Sequence, residues 1–330
     1  MAGAGEWSAI VAQARDRNVV QSPAWAQYKR GHGWEPERWV ALDGSGKPVC
    51  AMQTLAKRAP LGQSIVWVPG GPLAGFPDAD PAMLGKIVTS WLDIARREHR
   101  LRYVRFYSHL PHDAEAAFAL GNFAIRPRVP LNTGYTVHVD LSTELEDLRS
   151  AMTAKHRYYV KQSEAARLTW RWGRGDDLLR DAVTLHAEIA HVKKMPRLNG
   201  DFEAARHLAA AFEDDYIVLV GYHGDQPLTA CSILTFGDSA FYFRAATGAA
   251  GRRVSAAYAM VMQLFAVLKA RGIARFDFGG IAPRSPQAAG VDHFKGGFGG
   301  DVVEYLGEWE WPMSGLARWL MNYVARSAAS

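Results

Sequence analysis

The sequence predicts a mixed α/β protein built from two similar units. Three observations carry that prediction: a length of 330 residues, a strand and helix order that recurs, and a matching pair of turns. At roughly 150 residues per domain the length gives about two domains, each able to bury its own core. Pro48 and Pro227 close two Gly-containing turns 179 residues apart, and the elements after them keep nearly that offset. Hairpins followed by a helical crossover require a sheet of mixed strand direction covered by helices.

In the first unit, Pro23 to Arg30 reads as a helix. The strand Arg38 to Leu42 leads into the turn Asp43-Gly44-Ser45-Gly46-Lys47-Pro48, then come strands at Val49 to Leu55 and Ser64 to Val68. A helix across Ala82 to Arg97 and a strand at Tyr103 to Tyr107 complete the series. The second unit repeats the order. Its strand Tyr216 to Tyr222 meets the turn His223 to Pro227, followed by strands Leu228 to Thr235 and Ala240 to Ala245, a helix Ser255 to Ala270 and a strand Ala274 to Phe278. Between them, the strand Tyr135 to Val139 ends in Asp140-Leu141-Ser142. Thr143 with Glu146 three residues on has the spacing of a capping box, which predicts a helix start there and a run to Ala166 broken near Thr153. The domains expected are 1–143 with 313–330, and 144–312. Leu316, Trp319, Leu320, Tyr323 and Val324 follow helical spacing, so a C-terminal helix is expected to pack that apolar face on the first unit, with a membrane-surface helix as the other reading.

Hydrophobic residues at 48% and charged residues at 22% exclude a disordered, collagenous or coiled-coil chain. Two cysteines, Cys50 and Cys231, build neither a disulfide framework nor a thiolate metal site. The longest apolar run, Ala256 to Leu268, is too short to span a membrane, and the N-terminus lacks the apolar core of a secretory signal. A cytoplasmic, reduced, monomeric protein without stable membrane insertion is the expectation. Between Arg149 and Arg174 stand seven Arg or Lys and one acid, Glu164, which reads either as a polyanion contact or as a solvated helix face.

No phosphate-binding Gly-x-x-x-x-Gly-Lys-Ser/Thr loop, zinc-binding His-Glu-x-x-His or nucleophile elbow is present. His186 and His191 are five apart, about 140° around a helix, so they do not share a metal face. What remains lies late in the chain: Arg275-Phe-Asp-Phe-Gly-Gly-Ile281, then Gly290-Val-Asp-His-Phe-Lys-Gly-Gly-Phe-Gly-Gly300. Glycines let backbone approach closely and Lys295 sets an ammonium among them; a plain glycine-rich hairpin with an exposed lysine is the competing reading.

Four segments taken together resemble the FemABX family of aminoacyl-tRNA-dependent aminoacyltransferases: Phe294-Lys295-Gly296-Gly297-Phe298-Gly299-Gly300, Phe276-Asp277-Phe278-Gly279-Gly280, Lys155-His-Arg157-Tyr-Tyr-Val-Lys161, and Gln21-Ser22-Pro23-Ala-Trp25-Ala-Gln-Tyr-Lys29. Pro69-Gly70-Gly71-Pro72 and Tyr103-Val-Arg105-Phe106 extend the resemblance over nearly the whole chain. It implies two tandem acetyltransferase-like (GNAT) domains, Lys295 with Phe294 at the acyl-transfer centre, and a fixed ammonium that stabilises an oxyanion. It also implies that Lys29, and more loosely Arg197, meet a substrate diphosphate, with Arg105, Tyr242, Arg244 and Asp277 on the substrate side. Lys155, Arg157, Lys161, Arg252 and Arg253 become candidates for tRNA phosphates, where charge contributes affinity without sequence readout. Arg244 stands where many relatives carry an aromatic residue, and no sustained heptads between Leu178 and Glu213 indicate a helical arm, so the likeness is to compact members. The loop Thr247 to Arg253 lacks the usual coenzyme A pattern. Aminoacyl-tRNA as co-substrate, without a cofactor, and a peptide-like or amino-acid acceptor are expected. The acceptor is a peptidoglycan stem peptide or a peptide or amino-acid natural product, with an acyl-CoA N-acyltransferase as the competing class.

Overall fold

The computed structural model describes residues 3–59, 63–193, 200–312 and 314–329, which form two compact units: 1–135 with 303–330, and 136–302. The change of unit falls at the start of the strand beginning at Tyr135 rather than after it, because that strand pairs with the second unit's sheet.

In the first unit, helices α1 (Ala4–Val11) and α2 (Pro23–Arg30) precede β1 (Glu35–Leu42), β2 (Pro48–Ala59) and β3 (Gln63–Gly70). Helix α3 (Leu84–His99) crosses over to β4 (Leu101–Pro111), and α4 (Ala114–Gly121) follows. The sheet β1-β2-β3-β4 is antiparallel except for the β3/β4 pair, which is parallel because α3 connects it. The core lies between α3 and the sheet: Leu84, Val88, Trp91 and Leu92 meet Val66, Val68, Val104 and Phe106. Asp43 explains the β1/β2 turn, since its Oδ1 accepts from the backbone N–H groups of Ser45 (2.8 Å) and Lys47 (2.9 Å). The Gln21-Ser22-Pro23 string is structural. Buried Gln21 clamps β2 to β3 by accepting from Gln53 N (2.6 Å) and donating to Pro69 O (2.6 Å), while Ser22 caps α2 at Trp25 N.

The second unit comprises β5 (Tyr135–Asp140), α5 (Leu145–Ala151), α6 (Ala154–Glu164), β6 (Thr169–Gly173), α7 (Asp176–Lys193), α8 (Phe202–Phe212), β7 (Tyr216–His223), β8 (Gln226–Phe236) and β9 (Ser239–Thr247). It continues with α9 (Ala249–Arg253), α10 (Ala256–Ala270), β10 (Arg275–Asp277) and α11 (Ala289–Gly296). Its sheet order is β5-β10-β9-β8-β7-β6, with only β9/β10 parallel across the α10 crossover. The series β7-β8-β9-α10-β10 repeats β1-β2-β3-α3-β4, so the duplication read from the two turns is real. The chain ends in β11 (Asp301–Pro312), antiparallel to β4, and α12 (Gly315–Ala329).

Two expectations are corrected and one competing reading is set aside. Thr143 and Glu146 form no capping box: Thr143 Oγ1 donates to Asp140 O (3.1 Å), and the N-cap of α5 is Glu144, without a side-chain cap. The break at Thr153 is present, and Thr153 caps α6 through His156 N. The glycine-rich stretch holding Lys295 is the helix α11, not a hairpin. Finally, α12 does dock on the first unit, but through Arg318, Met321, Asn322 and Ala325, with Val324 the one member of its apolar stripe that lines the contact groove; Asn322 Nδ2 and Arg318 Nε both donate to the buried Glu310.

Candidate transfer centre in the second unit

Lys295 sits in the last turn of α11, and its ammonium donates to the carbonyl of Gly280 at 2.7 Å. That carbonyl lies just past β10, so one hydrogen bond joins the two glycine-rich strings. Burial pulls the Lys295 ammonium below the ordinary lysine value, while the carboxylates of Asp277 and Asp292 oppose that shift. An ammonium has three N–H donors; with one on Gly280, two remain for a substrate oxygen.

Helix α11 is held from several sides. At its start Asp292 Oδ1 accepts from Ala282 N (3.0 Å). At its end the buried His156 of α6 hydrogen-bonds the Phe294 carbonyl through Nε2 (3.0 Å), and Thr153 N donates to Gly297 O (3.0 Å). A carbonyl only accepts, so Nε2 carries the hydrogen and Nδ1 accepts from the Thr153 hydroxyl (2.8 Å). Burial lowers the His156 pKa and keeps the ring neutral, as this pattern needs. A Cβ at Gly297 would lie 1.9 Å from His156 Cε1, so only glycine lets α11 seat against this ring. Phe298 is fully buried and stacks on Phe278, and Phe294 packs edge-on to Phe298 and Tyr258.

Asp277, at the end of β10, accepts from Gly279 N (2.7 Å) and from the Thr136 hydroxyl, and lies 3.6 Å from His138. It shapes the turn that presents Gly280 to Lys295. Beside Lys295 opens a cleft of about 490 Å³ lined by Ile281, Pro283, Arg284, Ala289, Asp292 and Val302.

The other predicted residues are distributed over both units. Tyr242 is core, its ring between Phe276 and Phe278, and burial raises its phenol well above the ordinary value. Arg244 is exposed on β9 with its guanidinium 5.5 Å from the Phe243 ring; it lowers the pKa of half-buried His186, which burial foremost brings down to about 4. Lys155 and Lys161 are exposed on α6, whereas Arg157 donates to the carbonyls of Ser150 and Met152 at the end of α5. Arg252 donates to Thr247 O (2.8 Å), and Arg253 is exposed. In the first unit, Lys29 projects among the rings of Trp25 (4.9 Å), Trp67 (5.2 Å) and Tyr28 (5.6 Å), and burial holds its pKa below the ordinary lysine value. Arg105 forms a buried ion pair with Glu308 at 2.8 Å. Arg197 lies outside the described residues.

Sequence reading missed His156 and Glu188. His156 lay inside the quoted α6 string but drew notice only through its basic neighbours. Glu188 Oε1 accepts from Ala249 N (2.6 Å), placing a carboxylate on the first turn of α9; no local motif marks a contact across 61 residues. Among the described residues no group of three or more His, Cys, Asp or Glu is arranged to hold a metal, and no helix is long and apolar enough to cross a membrane.

The FemAB family model matches residues 210–326, a span that contains β10, the Gly280 turn and Lys295. The chain shares that span with the FemAB family. Its fold is similar to a crystal structure of FemX, with a TM-score of 0.82 at 13% identity over 98% of this chain and 99% of that one. It is also similar to the C-terminal domain of a putative lysylphosphatidylglycerol synthetase from Agrobacterium fabrum (TM-score 0.58, 16% identity, 96% of each chain). A tandem GNAT protein from the clavulanic acid biosynthesis pathway matches with TM-score 0.56 at 14% identity, over 94% of this chain and 95% of that one. At these identities the likeness carries the fold alone, which is that of tandem GNAT proteins. No curated protein matches the sequence.

Proposed function

We propose that this protein is a FemABX-type transferase that moves an amino acid from aminoacyl-tRNA to an amine of a peptide-like acceptor, forming an amide. The observation that carries the reading is Lys295: a partly desolvated ammonium with two spare donors, held on Gly280 in the part of the chain that matches the family. The acceptor nitrogen attacks the ester carbonyl, and the tetrahedral oxyanion takes a hydrogen bond from Lys295. The bond from carbonyl carbon to ribose oxygen then breaks, and the proton lost by the amine ends on that oxygen. The ester is already activated, so no enzyme nucleophile is required. Cys231 is no alternative, since burial suppresses its thiolate.

Glu188 argues against coenzyme A as donor. Its carboxylate occupies the backbone N–H at the start of α9, where an acetyltransferase would lay the pyrophosphate, and it repels an anion there. Arg244, which pairs with no carboxylate among the described residues, serves anionic groups of the acceptor on this reading. A stem peptide of a peptidoglycan precursor carries such groups, and so does a peptide or amino-acid natural product. Lys155, Lys161 and Arg253 supply exposed charge for tRNA phosphates, and the chain acts in the cytoplasm, where charged tRNA is available.

The test is incubation with a mixture of charged tRNAs and candidate acceptors, with product masses read out. A mass increase of one aminoacyl residue that Lys295→Ala abolishes is expected. Acylation from acetyl-CoA with none from any aminoacyl-tRNA overturns the reading.

A further inference from the structure

We infer that the outward face of α12 docks the first unit onto the surface of an anionic phospholipid bilayer. Leu316, Trp319, Leu320, Tyr323 and Val324 make one continuous helical stripe, and they are 74%, 60%, 50%, 60% and 51% exposed. Soluble proteins leave single apolar side chains in water, but a five-residue stripe with two aromatic rings marks an interaction surface. Trp319 and Tyr323 stack at 5.8 Å, and each carries one polar group on an apolar body, the combination favoured where headgroups meet acyl chains.

The helix cannot roll to hide this stripe. Its inward face is tied down by polar contacts: Asn322 donates to Glu310 Oε2 (3.0 Å) and accepts from Val129 N (3.0 Å), and Arg318 donates to Glu310 Oε1 and to Arg126 O (3.1 Å). Rolling would leave Glu310, which is fully buried, without these partners.

Charge selects the occupant. Residues 311–330 contain Arg318 and Arg326 and no acid, and the neighbouring segment 123–134 contains Arg126 and Arg128 and no acid. Arg128 and Arg326 are exposed. A second copy meeting this face about a two-fold axis would set arginines against arginines, whereas anionic headgroups complement them. The stripe also continues into an apolar groove of about 230 Å³, where Met321, Val324 and Ala325 face Trp34, Trp67 and Leu131. Leu131 is itself 46% exposed, so the groove mouth and the stripe form one apolar surface. Peripheral seating of this kind needs no membrane-spanning helix.

Co-sedimentation of the full chain with vesicles of equimolar phosphatidylglycerol and phosphatidylcholine tests the inference. Binding is expected, and it weakens on phosphatidylcholine alone. Trp319→Ser with Leu320→Ser should lower the partition coefficient at least about tenfold, and Arg128→Ser with Arg326→Ser should flatten its salt dependence. All four side chains point to solvent, so thermal unfolding should stay near wild type; Leu316→Ser with Tyr323→Ser is the second variant if the first unfolds. No vesicle binding by the wild type, or equal binding by folded stripe variants, overturns the inference. So does a dimer in sedimentation velocity that the same substitutions dissociate, because the occupant is then a second copy.

Discussion

The ring of His156 fills the space a side chain at Gly297 would need, with Cε1 1.9 Å from that Cβ position, while its Nε2 holds the carbonyl of Phe294 at 3.0 Å. One residue of α6 thus sets both the seat and the rotation of the helix that carries Lys295. Gly297→Ala must displace the ring or the helix, and a destabilisation of about 1–3 kcal/mol is expected from such overpacking. Single-turnover kinetics should show a slowed chemical step, partly restored by adding His156→Ala, which removes the obstructing ring.

Lys295→Ala should lower kcat by about 10²–10³, equivalent to about 3–4 kcal/mol, with little change in KM for either substrate. A normal chemical step with only a raised KM would make Lys295 a substrate-binding residue.

The pH profile offers an independent check. Burial lowers the Lys295 pKa, so the oxyanion donor is lost as pH rises through a value below the ordinary 10.5. The single-turnover rate, corrected for ester hydrolysis, should rise as the acceptor amine deprotonates and then fall. In Lys295→Arg the guanidinium stays charged, so the falling limb should vanish although the rate is only partly recovered.

Coenzyme A at millimolar concentration should leave the melting temperature of the wild type unchanged, because Glu188 occupies the N–H of Ala249. Glu188→Ala frees that N–H, and a small coenzyme A-dependent rise is expected for it. A rise already present in the wild type would contradict the role given to Glu188.

Two neutral histidines make the second unit acid-sensitive. His186 is brought down from 6.5 to about 4, and His156 is lowered in the same direction, so unfolded chains bind more protons in acid. Their contribution is complete above pH 6.5 and is lost as pH falls toward 4, by up to about 3 kcal/mol for His186. Urea midpoints should therefore drop over that window, and His186→Gln should flatten the drop.

On the basic helix, Lys155→Ala with Lys161→Ala should weaken tRNA binding and reduce the salt slope by about 0.7–0.9 per lost phosphate contact. Arg157→Ala should instead lower thermal stability, because its guanidinium satisfies Ser150 and Met152 at the end of α5. An equal tRNA-binding loss from Arg157→Ala without a stability loss would reverse that assignment.

The sequence by itself determined the two-unit mixed α/β architecture, because hydrophobic periodicity, Gly-Pro turns and the 179-residue offset are local or repeated signals. It also carried the resemblance to FemABX proteins and singled out Lys295 as a candidate, since the order of short strings survives where single motifs are weak. Only the tertiary structure decided which side chains meet across long separations: His156 under Phe294, Lys295 on Gly280, Glu188 on Ala249. It also turned α12 the other way. Spacing of Leu316, Trp319, Leu320, Tyr323 and Val324 establishes an amphipathic helix but not which face is inward. That choice fell to Glu310, whose buried carboxylate costs more to leave unpaired than an apolar stripe costs to leave in water.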